Sequence, residues 1–196
     1  MREITSENLV RRLSALCPLG EAEARLVEDL VRPGAPHAVG SVLLQQGEQV
    51  LGPRLLTSGW AWRTRTLSTG RRQVFALVLP GDLIGLCWRP RPRALSSTVA
   101  VTSVQTCDAS LLAETMTARG AVNPALWEAL TLVSRHEEMR LLDQVVRLGQ
   151  QTAVERVVTL MLDIHDRLGA VGMAEIDSFD MPLTNEQLAS MLGLSL

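Results

Sequence analysis

Apolar and polar positions divide the chain into three textures. From Ser6 to Val31 the apolar residues fall at helical spacing, Leu9, Val10, Leu13 and Leu16, then Leu19, Leu26, Val27, Leu30 and Val31, which predicts two short helices meeting at Cys17-Pro18. From Pro33 to about Asp108 short runs of Val, Leu, Ile, Thr and Trp alternate with turn residues at Gln46-Gly47-Glu48, Thr57-Ser58-Gly59, Ser68-Thr69-Gly70 and Pro80-Gly81-Asp82. Such spacing predicts about eight antiparallel strands in a small barrel or sandwich, a jelly-roll-like roll. After Ala109 the 3.6-residue period returns. Asn123 and Pro124 open a long helix carried by Trp127, Leu130, Val133, Leu141, Val145 and Leu148, with a polar gap at His136, Glu137 and Glu138. A stripe of this kind suits pairing with a second copy, so Leu130, Val133, Leu141, Val145 and Leu148 are the candidate dimerisation residues. Packing on the roll of its own chain is the alternative. Gly149 interrupts the pattern as a candidate hinge. A second helix is predicted from about Thr152 to Leu168 with Val154, Val157, Val158, Leu160, Met161 and Ile164 inward, and Gly169 to Met181 reads as a turn or short hairpin.

The stretch Pro182 to Leu196 carries the most specific local signal. Thr184 can cap a helix, Gln187 three residues on can reach back to it, and Leu188, Met191 and Leu192 form an apolar face beside the small Ala189. Gly193 supplies a left-handed stop, and Ser195 stands where a second helix would be capped. This is the front half of a helix-turn-helix, whose second helix enters the DNA major groove. Only Leu196 follows Ser195, so the base-reading residues are expected beyond it. The sequence reads either as a piece of a longer regulator or as a natural short form, and the intact spacing from Thr184 to Ser195 favours the first.

Composition narrows the picture. The 196 residues are 46% hydrophobic, enough for a substantial core in one or two domains. No run of eighteen uncharged apolar residues occurs and the first residues lack a signal-peptide pattern, so a cytoplasmic protein without a membrane span is expected. The formal net charge is -2, so attraction to nucleic acid must come from local patches. All basic residues are Arg, from which no function is drawn. Cys17, Cys87 and Cys107 are too widely spaced for a disulfide framework or a metal site, and read as reduced thiols. No Ser-His-Asp string, His-Glu-x-x-His, Walker loop or Gly-x-Gly-x-x-Gly is present, which argues against an enzyme.

Strand roll, long helix, hinge and helix-turn-helix, in that order, resemble the CRP/FNR family of bacterial transcription regulators. The strings Val42-Leu43-Leu44-Gln45-Gln46-Gly47-Glu48, Gly59-Trp60-Ala61-Trp62-Arg63, Gly70-Arg71-Arg72-Gln73-Val74 and Leu79-Pro80-Gly81-Asp82-Leu83-Ile84-Gly85 are similar to that family's cyclic-nucleotide-binding-like roll. Leu148-Gly149, Ala153-Val154-Glu155-Arg156 and Pro182-Leu183-Thr184 continue the likeness. It implies an α+β fold: N-terminal helices and an antiparallel β-roll over residues 1–122, a dimerisation helix over 123–148, and an incomplete winged helix-turn-helix over 149–196. It further implies an effector-responsive homodimer that binds DNA and works with RNA polymerase, with the first helix and turn of its DNA-binding motif at Thr184, Gln187, Leu188, Ala189, Leu192, Gly193 and Ser195. The rival reading is a ligand-binding or protein-interaction module acting without DNA.

The family's effector site maps onto Gly81, Asp82, Ile84, Gly85, Leu86, Leu95, Ser96 and Ser97. Members that bind cyclic AMP resemble one another in a Glu for the ribose and an Arg-Ser pair for the phosphate; here Leu86 replaces the Glu, and Leu95-Ser96 stand at the pair. Losing a guanidinium forfeits charge-assisted hydrogen bonds of roughly 1.5 to 3 kcal/mol each, so cyclic AMP is not expected. Arg89, Arg91 and Arg93, interleaved with Pro90 and Pro92, read as a solvated loop, with a rescued anion site as the alternative. An iron-sulfur cluster is not expected with Cys17 the lone cysteine of the first eighty residues. Haem would need an axial ligand, and His37, His136 and His165 read as surface or structural residues. Cys87, in the effector loop, reads as an ordinary thiol rather than a redox switch.

Overall fold

A computed structural model of the chain describes residues 3–32, 34–87, 89 and 91–194. Helix α1 (Ser6–Ser14) starts where Thr5 accepts the N–H of Asn8, and α2 (Glu21–Glu28) follows the turn through Cys17 and Pro18. Buried Glu23 on α2 accepts the N–H of Gly20 with one oxygen and the N–H of Leu126 with the other, each at 3.0 Å. It thereby closes the N-terminus of the long helix α4 (Pro124–Gln150), whose N-cap residue Asn123 makes no side-chain cap. A carboxylate there also opposes the positive end of the helix dipole.

The middle of the chain forms eight strands: β1 (Ala35–His37), β2 (Val42–Leu44), β3 (Arg54–Ser58), β4 (Ala61–Thr66), β5 (Arg72–Val78), β6 (Leu83–Ile84), β7 (Ser97–Ala100) and β8 (Val104–Asp108). They pair antiparallel in two four-stranded sheets, ordered β1-β8-β3-β6 and β2-β7-β4-β5. The result is a sandwich-like roll rather than a closed barrel. Successive strand residues serve opposite faces: Leu56 packs between the sheets with Leu43, Ala61, Val78, Ile84 and Val104, while its neighbour Leu55 points out to the helices.

Both outer faces are covered. The face bearing Leu55 packs on α1, α2, α3 (Ser110–Thr117) and the first half of α4 through Leu9, Leu13, Val27, Leu112, Leu126 and Leu130. The other sheet turns Trp60, Trp62, Val74, Leu77 and Leu79 outward onto α5 (Ala153–Ala170) and α6 (Asn185–Leu192), which answer with Leu160, Ile164, Leu168, Met191 and Leu192. The C-terminal helices therefore share a core with the roll.

Two expectations change. Gly149 is not a hinge: α4 runs through it to Gln150, and the chain turns at Gln151 and Thr152. Glycine costs a helix only about 1 kcal/mol, and stronger constraints act here. Thr152 and Glu155 form a capping box for α5, while the Arg156 guanidinium donates to the carbonyls of Leu148, Gln151 and Leu192 at 2.9 to 3.0 Å. The segment 169–181, expected as a turn or short hairpin, takes the first form: a backbone bond from Glu175 N–H to Ser178 carbonyl closes a turn. On α5, Leu160 and Ile164 are inward and Met161 packs partly buried beside them, but Val154, Val157 and Val158 face out.

Gly59, between β3 and β4, has φ +77°, and a Cβ on it would stand 2.2 Å from the Ser103 carbonyl oxygen. Gly70, at the β4–β5 tip, has φ +81° with nothing within 4 Å. Gly70→Ala is expected to cost about 1 to 2 kcal/mol through backbone strain alone, and Gly59→Ala clearly more. Equal losses in chemical denaturation would contradict the close approach of β3–β4 to the turn before β8.

Candidate functional site

A pocket of about 620 Å³ opens on the roll beside the middle of α4. Its floor is apolar, from Leu44, Val50, Val78, Leu83, Ile84 and Leu86, and Arg89, Arg91 and Arg93 line it as well. Of the residues singled out for an effector, Ile84, Gly85, Leu86, Leu95 and Ser96 line this pocket, with Leu95 largely exposed at its margin. Ser97 does not; its hydroxyl accepts the N–H of Gln46 at 3.0 Å. Gly81 and Asp82 also fall outside it, turned toward the helices.

Two residues that motif reading missed supply the pocket's polar interior. Arg63 on β4 donates from Nε to the Ser96 hydroxyl at 3.2 Å and lies over the Phe75 ring. Its Nη1 is 3.7 Å from a carboxylate oxygen of Glu137 on α4. Burial raises the Glu137 pKa and the Arg63 charge works against that rise. Glu137 had a visible signal: it falls at the inward spacing after Leu130 and Val133, where a charge is out of place unless it has a partner.

Asp82 is the second buried polar feature of this region. The Pro80-Gly81-Asp82 turn places its carboxylate, 6% exposed, to accept the Leu79 N–H at 2.8 Å. The same carboxylate pairs with Arg12 of α1 at 3.0 Å and with Arg167 of α5. Arg167 also donates to the Leu77 carbonyl and pairs with Asp163. Burial by itself would raise the Asp82 pKa; the charges of Arg167, Arg12 and Arg140 and the Leu79 N–H overcome it and hold the carboxyl well below the usual carboxylate range. One carboxylate thus clasps the N-terminal helix, the roll and the C-terminal unit. A cavity of about 30 Å³ beside it is lined by Arg63, Glu137, Arg140 and Arg167 among others, so the pocket's ion pair and the clasp adjoin.

Along α4 the inward face changes character. Leu126, Ala129, Leu130 and Val133 are buried in the chain's own core, and after them come Glu137, Arg140, Gln144 and Arg147. Gln144 donates to the Met191 carbonyl at 3.0 Å and Arg147 to the Thr159 hydroxyl at 3.1 Å, tying α4 to α6 and α5. Four of the five residues read from sequence as dimerisation residues therefore lie toward their own chain: Leu130 and Val133 fully, Leu141 beside the small cavity, and Leu148 under α6 near Gly193. Only Val145 faces out. The outward apolar face is Met139, Leu142, Val145 and Val146, each more than half exposed.

Helix α6 is closed at both ends. Thr184 accepts the Gln187 N–H at 3.2 Å, Gln187 returns a carbonyl to the Thr184 N–H at 2.9 Å, and Gly193 takes φ +63°. Ala189 and Leu192 are buried and Leu188 packs beside them. Ser195 lies outside the described residues. The three cysteines stand on separate elements, with Cys17 donating to Glu128 and Cys107 to the Arg32 carbonyl. No group of three His, Cys, Asp or Glu able to hold a metal occurs among the described residues. His37 meets the Thr106 hydroxyl, His165 donates to the Glu175 carbonyl, and His136 is exposed on α4; none lines the pocket beside α4. Among the described residues no helix is long and apolar enough to cross a membrane.

No protein-family model matches the chain. In sequence it is similar to the transcriptional activator protein FnrL of Cereibacter sphaeroides, 26% identical over 190 residues covering 94% of this chain and 74% of that protein. The nitrogen fixation regulation protein FixK of Azorhizobium caulinodans is 29% identical over 142 residues, 72% of this chain and 56% of that one. In fold the chain is similar to FixK2 from Bradyrhizobium japonicum, with TM-score 0.68 at 24% identity over 85% of this chain and 79% of that one. TTHB099, a transcriptional regulator of the CRP family from Thermus thermophilus, gives TM-score 0.59 at 16% identity over 82% and 77%.

Removing the Asp82 charge leaves Arg12 without its carboxylate and buried Arg167 with only the longer Asp163 contact. Asp82→Asn is expected to cost about 3 to 5 kcal/mol. Because the folded pKa is depressed, this contribution is complete above the unfolded carboxyl value near 4 and is lost as pH falls below it. Denaturation profiles of the wild type and Asp82→Asn are therefore expected to converge in acid, whereas a constant gap from neutral pH down would contradict the pairing.

Proposed function

We propose that this chain, a CRP/FNR-type transcription regulator by sequence and fold, works as a cytoplasmic homodimer that joins along the outward face of α4. Its α6 is the first helix of a DNA-binding helix-turn-helix. The observation that carries the reading is how α6 is held: closed at both ends, seated on β5, and tied at its C-terminus to α4 by Gln144 and to α5 by Arg156. A helix fixed this rigidly orients whatever follows Gly193, which is the requirement for placing a second helix in the major groove. Thr184 and Gln187 set its start, Leu188, Ala189 and Leu192 seat it, and Ser195 begins the segment that meets DNA. RNA polymerase is the partner at the promoter. A regulator of this build needs no catalytic residues.

Coupling follows from the same contacts. Two states of the dimer that differ in how α5 and α6 sit on the roll would present DNA-binding elements at different spacing, and an effector shifts them by binding one state better. Glu137 stands where such a change would enter, between the pocket and the Asp82 clasp. Cyclic AMP does not suit the pocket. Leu86 offers the ribose hydroxyls no acceptor, and buried hydroxyls without partners are costly.

Three outcomes test this reading. Sedimentation at micromolar concentration is expected to show a dimer, and Leu142→Glu with Val146→Glu to weaken it by at least about a hundredfold. A monomeric wild type would contradict the pairing. Protein expressed from the full reading frame is expected to enrich genomic fragments carrying inverted half-sites about one helical turn apart; recovery of random fragments would remove the DNA-binding reading. Calorimetric titration with micromolar cyclic AMP is expected to give no heat, and a saturable heat would overturn that exclusion.

A further inference from the structure

The pocket beside α4 carries Arg89, Arg91 and Arg93 in its lining and, on its β4 side, a further cation that is already in use. Arg63 projects from β4, is steadied by the Ser96 hydroxyl and the Phe75 ring, and offers its remaining guanidinium edge to Glu137. At 3.7 Å the Arg63–Glu137 contact is looser than a charge-assisted hydrogen bond. Glu137 is a poor permanent partner, since burial already drives its carboxyl toward the neutral form. The volume, about 620 Å³, is that of a small-molecule site, and Leu, Ile and Val line it alongside a mainly cationic polar set of four Arg with Glu137, Ser96 and Thr98.

From this arrangement we infer that the pocket takes an organic anion with an apolar body, a carboxylate or a comparable acid, whose charged group replaces Glu137 on Arg63. The body fills the space over Leu44, Val50, Ile84 and Leu86, while the acid forms the bidentate fork that Glu137 does not reach. Binding therefore exchanges one ion pair for another and releases the middle of α4 from β4. The released carboxylate adjoins Asp82, Arg140 and Arg167, so the exchange is felt at the clasp. No covalent step is involved. The ligand class deepens the regulator reading, and its consequence for DNA rests on that reading, but binding itself does not.

The test uses 8-anilinonaphthalene-1-sulfonate as the anionic probe and N-phenyl-1-naphthylamine, the same apolar body without the acid, as its neutral counterpart. Both are titrated by fluorescence into the whole chain without DNA, so failure of the DNA reading leaves the result intact. Arg63→Gln is expected to weaken the sulfonate at least about tenfold and to change the neutral probe less than twofold. Glu137→Gln is expected to tighten the sulfonate several-fold, because the competitor is removed, again leaving the neutral probe unchanged. The unchanged neutral probe reports that each variant is folded. Sulfonate binding indifferent to both substitutions would overturn the inference, as would binding that Glu137→Gln weakens or the absence of saturable binding in both wild type and Glu137→Gln.

Discussion

The Asp82 carboxylate is the constraint on which the rest of the architecture turns. A single buried anion receives Arg12 from α1 and Arg167 from α5 while its own turn supplies the Leu79 N–H. Charges withdrawn from water are expensive unless each finds a partner. The three stay paired only while α1, the β5–β6 turn and α5 keep their places together. The apolar contacts of Leu160, Ile164, Leu168, Met191 and Leu192 with Trp60, Trp62 and Leu77 hold the C-terminal helices on the roll, and the clasp fixes where on it they sit. Apolar burial is indifferent to direction, so register has to come from groups such as these.

The long helix works with two faces of different chemistry. Toward its own chain it is apolar first and polar afterwards, changing at Glu137 where it leaves the N-terminal helices and passes the junction of roll and C-terminal unit. Away from the chain it offers Met139, Leu142, Val145 and Val146. The pocket, the clasp and the outward apolar face thus meet along about two turns of one helix. A shift of that helix therefore cannot alter one without disturbing the others.

The broad fold was legible because it is written in periods: alternation for the strands, 3.6 for the helices, and a cap, a reciprocal Gln and a Gly bounding α6. The site was less so. Asp82 has a sufficient local explanation as a turn residue, and its partners lie 70 and 85 residues away, where no spacing rule reaches. Both faces of α4 carry apolar residues, so periodicity found the helix but could not say which stripe met its own roll. Val154, Val157 and Val158 misled in the same way, being apolar without being inward. Gly149 was over-read, because a weak local preference yields to Arg156 bridging three carbonyls. Arg63 and Glu137 are unremarkable in sequence and matter only because β4 and α4 bring them together.

Hydrogen exchange on Asp82→Asn tests the central role of the clasp most directly. If the carboxylate fixes the C-terminal unit on the roll, amides of α5 and α6 should exchange faster in the variant while those of β3, β4 and β8 stay near wild-type protection. Unchanged protection across α5 and α6 would show that apolar packing alone seats them, and that the buried charge cluster is not what joins the C-terminal helices to the roll.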